Sequence, residues 1–123
     1  MVSHQVLRAW HAHALTKRLL ESAAVFPRDE RDELTMQRRR AALSVPTNLV
    51  EGCARFGPRE FLRHVRIAIA SLAEAGYPVF LARDLGHLTA EVEESLQAEI
   101  SRVRGLLFLL AKGLQKAVAR RAG

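Results

Sequence analysis

The sequence predicts an all-α protein, an antiparallel up-down-up-down four-helix bundle that the 123-residue chain forms as one domain. Aromatic residues make up only 6% of the chain, and Ala, Leu, Arg and Glu dominate over β-branched residues, which favours helix over sheet. Apolar residues recur every three or four positions, as they do on one face of a helix. Proline and glycine interrupt this pattern at three points, so four helical segments are predicted.

The first segment is predicted to run from about His4 to Val25, where Phe26-Pro27 ends it because a residue before proline is forced out of the helical region. Its apolar positions are Val6, Leu7, Trp10, Ala14 and Leu15. The second segment is predicted to run from about Asp29 to Arg55, starting in an acidic cluster that offsets the helix dipole. Because the side-chain pattern keeps its phase across Pro46, we expect a kink there rather than a break.

The third segment begins at Gly57-Pro58 and is predicted to extend to about Leu85, with Gly86 as its C-terminal cap. Gly76 and Pro78 weaken its middle, so a second kink is expected there. Its apolar positions are Phe61, Leu62, Val65, Ile69, Leu72 and Ala73.

The fourth segment is predicted to follow Thr89, a good N-cap residue, with acidic residues in its first turn and basic residues in its last. Its apolar positions have the spacing of a bundle helix: Val92, Leu96, Ile100, Val103, Leu107, Leu110, Leu114 and Ala117. Because the links between the segments are short, neighbouring helices are expected to be antiparallel.

One stretch of the fourth segment does not fit an isolated bundle. Residues 106–110 are apolar around the whole helix, whereas a single core contact needs only a stripe. At least one of Phe108 and Leu109 should therefore face away from the core, which predicts a homo-oligomer interface. The alternative is a wide core contact within one chain.

Charge and cysteine content narrow the classes of function. The net charge is +6, and all the basic residues except Lys17, Lys112 and Lys116 are arginines, which match phosphate geometry. An Arg-rich codon usage would explain the same bias. The single cysteine excludes a disulfide framework and a multi-thiolate zinc site. With no apolar run of about 20 residues and no visible signal peptide, we expect a cytoplasmic protein without membrane contact.

A polar stripe runs along the second segment. At about 100° per residue its members share one face, and they are Gln37, Arg40, Ser44, Asn48, Glu51 and Arg55. Such a row is typical of a boundary that hydrogen-bonds a neighbouring helix or subunit. The functional alternative is a polar site made of Arg40, Asn48 and Glu51.

A basic face is predicted on the third segment, where Arg59, Arg63 and Arg66 follow helical spacing. Arg38 and Arg39 add to the positive charge of this part of the chain, and we expect all five arginines to contact nucleic-acid phosphates. No aromatic residues interleave with them, so the pattern predicts salt-sensitive backbone binding rather than base reading. A merely solvated basic face is the alternative.

No catalytic residue, metal ligand set or cofactor is predicted. Glu60 and His64 lie at i, i+4 without a second such pair, and we expect them to face solvent rather than to hold metal. Cys53 has no orienting acid and is expected to be a small buried thiol. His11 and His13 point to different sides of their helix and do not ligate one ion.

The chain also carries a motif that extends over nearly its whole length. Trp10 and the 84–88 turn belong to the same pattern, before and after its central part. Its central part reads Phe26-Pro27, Glu30, Leu34, Gln37, Arg40-Ala41-Ala42, Ser44-Val45-Pro46, Asn48, Glu51-Gly52 and Arg55, continuing as Glu60-Phe61, Ile67-Ala68, Ser71-Leu72 and Glu74. This pattern resembles the four-helix bundle family whose founding members are encoded by intervening sequences in large-subunit ribosomal RNA genes. Ala70 and the 75–78 stretch depart from it.

The resemblance implies a bundle that assembles as a ring-like homopentamer. Relatives include the accessory variability protein of diversity-generating retroelements, a basic barrel that binds nucleic acid and a reverse transcriptase, although most members have no assigned activity. We therefore expect a non-enzymatic, homo-oligomeric protein that binds RNA or DNA. A scaffold for a protein partner, with incidental basic charge, is the alternative, and metal analysis would test a hidden metal-dependent enzyme.

Overall fold

Four α-helices make up the described part of the chain. The structure is a computed structural model that describes residues 4–22 and 28–122, with side chains at 11–21, 36–37 and 39–122. The helices are α1 His4–Ser22, α2 Arg28–Ala54, α3 Pro58–Asp84 and α4 Ala90–Ala122, and these ranges contain no strand. The predicted junction at Phe26-Pro27 and the predicted end of α1 at Val25 lie outside the described residues.

Glycine and proline set the turn between α2 and α3. Gly57 has φ +92°, a left-handed conformation that glycine adopts without steric cost, and Pro58 is the first residue of α3. The Phe61 N–H donates to the Gly57 carbonyl oxygen at 3.4 Å. The junction predicted at Gly57-Pro58 is therefore where the chain turns.

The turn between α3 and α4 is closed by hydrogen bonds at both helix ends. Gly86 has φ +83°, and the His87 N–H donates to the Ala82 carbonyl at 2.8 Å, which is a Schellman arrangement. Thr89 caps α4, because its Oγ1 accepts a hydrogen bond from the Val92 N–H at 3.2 Å.

Neither internal proline breaks its helix. α2 continues through Pro46 to Ala54, and α3 continues through Pro78 to Asp84. Each long helix therefore presents one continuous set of side chains to its neighbours.

Each helix packs against two others, in the order α1–α2–α3–α4 and back to α1. The core between them is aliphatic, and its largest fully buried side chains are Leu15, Val45, Val65, Leu72, Val79, Leu96 and Leu107. Sequence spacing misplaced three small or peripheral residues, since Ala14, Ala73 and Val92 are exposed. Among the described side chains of α1, Ala12, Thr16 and Leu19 are buried although the spacing did not select them.

α3 is the most apolar helix of the described part of the chain, and by length and composition it could cross a membrane. Ten of its residues are nevertheless buried by the neighbouring helices. The core helix of a bundle meets the same criterion of length and apolarity.

Candidate nucleic-acid interface

Contacts between α2 and α3 run in opposite sequence order. Ser44 meets Ser71, Asn48 meets His64, and Gly52 faces Phe61. The packing at Gly52 is tight, because an added Cβ there would lie 2.8 Å from Phe61 Cδ1. These contacts show which residues of α2 and α3 lie at the same level along the bundle.

A hydrogen-bonded network joins α2 and α3 at this contact. The Asn48 Nδ2 donates to the Ser44 carbonyl oxygen at 2.8 Å, so the Asn48 Oδ1 faces the other way. That oxygen accepts a hydrogen bond from His64 Nδ1 at 3.0 Å. The Ser44 and Ser71 hydroxyls are hydrogen-bonded at 2.7 Å, which continues the network along the interface.

The partners of His64 determine its tautomer. An amide oxygen only accepts and a guanidinium only donates, so Asn48 requires a proton on Nδ1 and Arg63, with Nη2 at 3.3 Å, requires an unprotonated Nε2. His64 is only 4% exposed. The expectation that Glu60 and His64 form a solvent-facing pair was therefore wrong. Glu60 pairs instead with Arg63, through a 3.2 Å contact to its Nε.

The predicted polar stripe divides into two parts. Ser44 and Asn48 are half-buried in the interface, and the Glu51 carboxylate, although exposed, lies 3.8 Å from His64 Nδ1. The side chains that point to solvent are those of Gln37, Arg40 and Arg55. The structure thus brings Asn48 and Glu51 together but leaves Arg40 outside the network.

An open groove of about 710 Å³ lies between α3 and the C-terminal half of α4. The three arginines of the predicted basic face all line it. The full lining is Arg59, Glu60, Leu62, Arg63, Arg66, Ile67, Ala70, Gln115 and Val118. The lining residues of α3 therefore include three guanidinium groups, whereas the lining residues of α4, Gln115 and Val118, are neutral.

The charges of the groove are mostly uncompensated. Among the described residues Glu60 is the one acid in the lining, and it forms an ion pair with Arg63. Arg59 and Arg66 make no ion pair with any described residue. Because α3 rises about 1.5 Å per residue, the three arginines extend over about 10 Å of the wall.

The other two predicted phosphate contacts lie elsewhere. Arg39 is exposed, but the pairing of Ser44 with Ser71 places it about 25 Å along the bundle from Arg59. The side chain of Arg38 lies outside the described residues. Arg39 therefore does not join the other arginines, and those of the predicted set that line the groove with described side chains are Arg59, Arg63 and Arg66.

A smaller recess of about 230 Å³ continues the groove at the α2–α3 turn. Arg59 and Val118 line both spaces, and Arg121 from the end of α4 adds a further cation. Phe56 forms the outer edge of the recess and is 99% exposed. Sequence reasoning missed Phe56 and Arg121, because their proximity to Arg59 depends on how α4 ends against the turn.

Two more sequence predictions concern side chains away from the groove. Cys53 is exposed, so the expectation of a buried thiol was wrong, although partial burial still raises the pKa of that thiol above its ordinary value.

Phe108 and Leu109 both face away from the core, with 55% and 62% of their surface exposed. Among the described side chains no cluster of metal ligands occurs.

Comparisons with known proteins show the fold from a solved structure and the family from a family model. A solved structure of a protein of unknown function from the S23 ribosomal protein family of Bacteroides thetaiotaomicron superimposes with a TM-score of 0.81 at 17% identity, covering 89% of this chain and 99% of the other. No individually curated protein matches the sequence. The model of the 23S rRNA-intervening sequence protein family matches residues 5–108. This match covers most of the chain, so the resemblance seen in the sequence is confirmed and the protein belongs to the 23S rRNA-intervening sequence protein family.

Proposed function

We propose that this protein is a non-enzymatic nucleic-acid-binding bundle that holds the phosphates of RNA or DNA on the arginine wall of the α3–α4 groove. The observation that supports this most is that Arg59, Arg63 and Arg66 line one open groove in which Glu60 is the single acid among the described residues. Guanidinium groups bind phosphate oxygens bidentately, and two of these three have no carboxylate partner.

The chemistry of the groove favours binding over catalysis. Its lining combines guanidinium, amide, aliphatic and one paired carboxylate group. The histidine nearest to it, His64, has both ring nitrogens engaged by Asn48 and Arg63 inside the α2–α3 interface. Neither the Glu60 carboxylate nor the His64 imidazole is arranged to activate a nucleophile or a water molecule.

The name of the family refers to 23S rRNA. A labelled hairpin RNA is therefore the first probe, with a duplex DNA of equal length as the second. Binding of each is measured by fluorescence anisotropy at about 50 and 200 mM salt. Three phosphate contacts alone should lower the affinity about 20- to 40-fold over that range.

The matched variants locate the binding site. Reversing the groove charges (R59E, R63E and R66E together) should abolish binding at both salt concentrations while helicity is unchanged. The control reverses three exposed arginines outside the groove (R83E, R102E and R104E) with the same change in net charge. Unchanged binding by the groove variant, or equal losses in both variants, would exclude this groove as the site.

We propose in addition that the four helices are antiparallel and that the bundle forms a homo-oligomer, a pentameric ring as the family resemblance implies. The antiparallel order is supported by opposing contacts: Gly76 accepts a hydrogen bond from Gln97 near the start of α4, and Gly57 lies against Arg121 near its end. Oligomerisation is supported by the exposure of Phe108 and Leu109.

Light scattering of the purified protein tests the assembly. The double variant F108E/L109E should reduce the mass to that of one chain, because a charge buried at an interface without a partner is strongly unfavourable. The control is F80E, since Phe80 is a similarly exposed aromatic residue on α3. A wild-type mass of one chain would refute the homo-oligomer.

A second candidate function is a scaffold for a protein partner. It is favoured by an apolar stripe on the outer face of α2, where Leu43 and Val50 are exposed and Pro46 lies between them. Affinity capture with wild-type protein and with an L43E/V50E variant tests it. Recovery of one protein by the wild type alone, free of nucleic acid, would support the scaffold.

A further inference from the structure

Phe56 is the most exposed large hydrophobic residue of the described chain. Its side chain is 99% exposed, so it contributes no packing energy to the bundle. It lies in the three-residue link between α2 and α3, directly before Gly57, whose φ of +92° turns the chain into Pro58. The turn therefore presents a phenyl ring to solvent on a short, constrained link.

The surroundings of this ring are cationic. Phe56, Arg59 and Arg121 line one recess of about 230 Å³, and Arg59 also lines the main groove. Arg55, which directly precedes Phe56 in the chain, is exposed and has no ion-pair partner among the described residues. An aromatic face at the end of a row of guanidinium groups is complementary to an anion that carries flat apolar rings.

We propose that Phe56 is a stacking platform for an unpaired nucleobase and that the groove takes single-stranded RNA or DNA. This inference rests on the proposed function, because it uses Arg59, Arg63 and Arg66 to hold the phosphates of the strand. With the backbone on the arginine wall, a base at the end of the bound stretch lies on the exposed face of Phe56. In a duplex the faces of internal bases are already stacked, so a duplex gains nothing from the ring.

The aliphatic residues of the groove fit the same ligand. Leu62 and Ile67 of α3 and Val118 of α4 line the groove together with the arginines and Gln115. Only one wall is basic, as expected for a site that neutralises one backbone, whereas a duplex would present two. Gln115 is the one amide on the opposite wall, where its donor and acceptor reach base edges or a ribose hydroxyl.

Four ligands separate stacking from charge: oligouridylate and oligothymidylate of 12 nucleotides, a 12-base-pair duplex DNA, and inorganic polyphosphate, which has the charge but no bases. The variant F56A should weaken binding of both single strands about 5- to 150-fold. It should leave the affinity for duplex and for polyphosphate within about twofold. F56W, which restores a larger aromatic face, should bind the single strands as tightly as wild type or more tightly.

A fluorescent base gives a second readout. A 2-aminopurine in the oligothymidylate should be quenched on binding to wild type and F56W, because the base stacks on the ring, and should stay bright with F56A. The matched control is F80A, which removes an exposed aromatic residue of α3 instead of the one in the link. Phe80 lies about 30 Å along the helix from Arg59, so this variant should bind all four ligands with the affinity of the wild type.

Three results would overturn the inference: single-strand affinity that F56A leaves unchanged, an equal loss for polyphosphate, or a change in the light-scattering mass of F56A, which would make Phe56 a contact between subunits. A different binding result would refute the proposed function itself. In that case wild type binds none of the four ligands at about 50 mM salt, or the R59E/R63E/R66E variant binds them all normally.

Discussion

The network between α2 and α3 allows a sharp test of how the bundle is held together. In Asn48→Ala the His64 Nδ1 proton loses its acceptor, and the Ser44 carbonyl loses a 2.8 Å hydrogen bond from the Asn48 amide. His64 is only 4% exposed, and the nearest other acceptor, the Glu51 carboxylate, lies 3.8 Å from Nδ1, which is beyond hydrogen-bond distance. A buried unsatisfied donor costs about 1–3 kcal/mol, and the lost Ser44 bond adds about 1 kcal/mol. We expect the free energy of unfolding to fall by about 2–4 kcal/mol.

Urea denaturation followed by circular dichroism measures this loss, and a double-mutant cycle assigns it. His64→Phe keeps a ring in the interface but removes both nitrogens, so in the double variant neither partner is left unsatisfied. The double variant should therefore be more stable than the sum of the single losses predicts, by about 1–2 kcal/mol. Losses that add within about 0.5 kcal/mol, or an Asn48→Ala loss below that value, would refute the reasoning.

Three further predictions concern packing, groove charge and thiol reactivity. Gly52→Ala should lower the free energy of unfolding by about 1–3 kcal/mol, because its methyl would lie 2.8 Å from Phe61, whereas Gly113→Ala, with no atom within 4 Å, should raise it by about 0.4–1 kcal/mol. Urea denaturation checks the two signs, and a shared sign would contradict the close approach. Glu60→Gln should tighten binding of the hairpin RNA up to about fivefold, since a carboxylate no longer competes with phosphate for the neighbouring guanidinium. Weaker binding in anisotropy titrations would contradict this. Because partial burial raises the pKa of the Cys53 thiol, its alkylation by iodoacetamide should follow a pH profile shifted upward from that of the urea-unfolded chain, and coincident profiles would contradict it.

The helices were predictable because their ends are set by local chemistry. The chain turns at the predicted Gly57-Pro58 junction, Gly86 has the positive φ of the predicted C-terminal cap, and Thr89 caps α4. The α4 spacing also selected residues that lie in the core, such as Leu96 and Leu107. Alanine gave the weakest signal, because it is apolar but small and packs equally well at the edge of an interface.

The parts that sequence reasoning missed depend on contacts between helices. Glu60 and His64 share the spacing of a solvent-facing pair, and only the approach of α2 brings Asn48 over the histidine and buries it. The grouping of Arg39 with the groove arginines failed because nearness in sequence ignores the length of the helices between them. The relation of Phe56 to Arg121 joins a turn to the far end of the chain, which no periodicity reports.

Arg63 connects the surface of the groove to the interior of the bundle. Its guanidinium lines the groove, yet its Nη2 also donates to the buried Nε2 of His64. A phosphate that draws this guanidinium outward removes the donor of a histidine that holds α2 against α3. In the proposed function, a phosphate therefore competes with His64 Nε2 for the Arg63 guanidinium, and the loss of that hydrogen bond subtracts from the affinity of the groove.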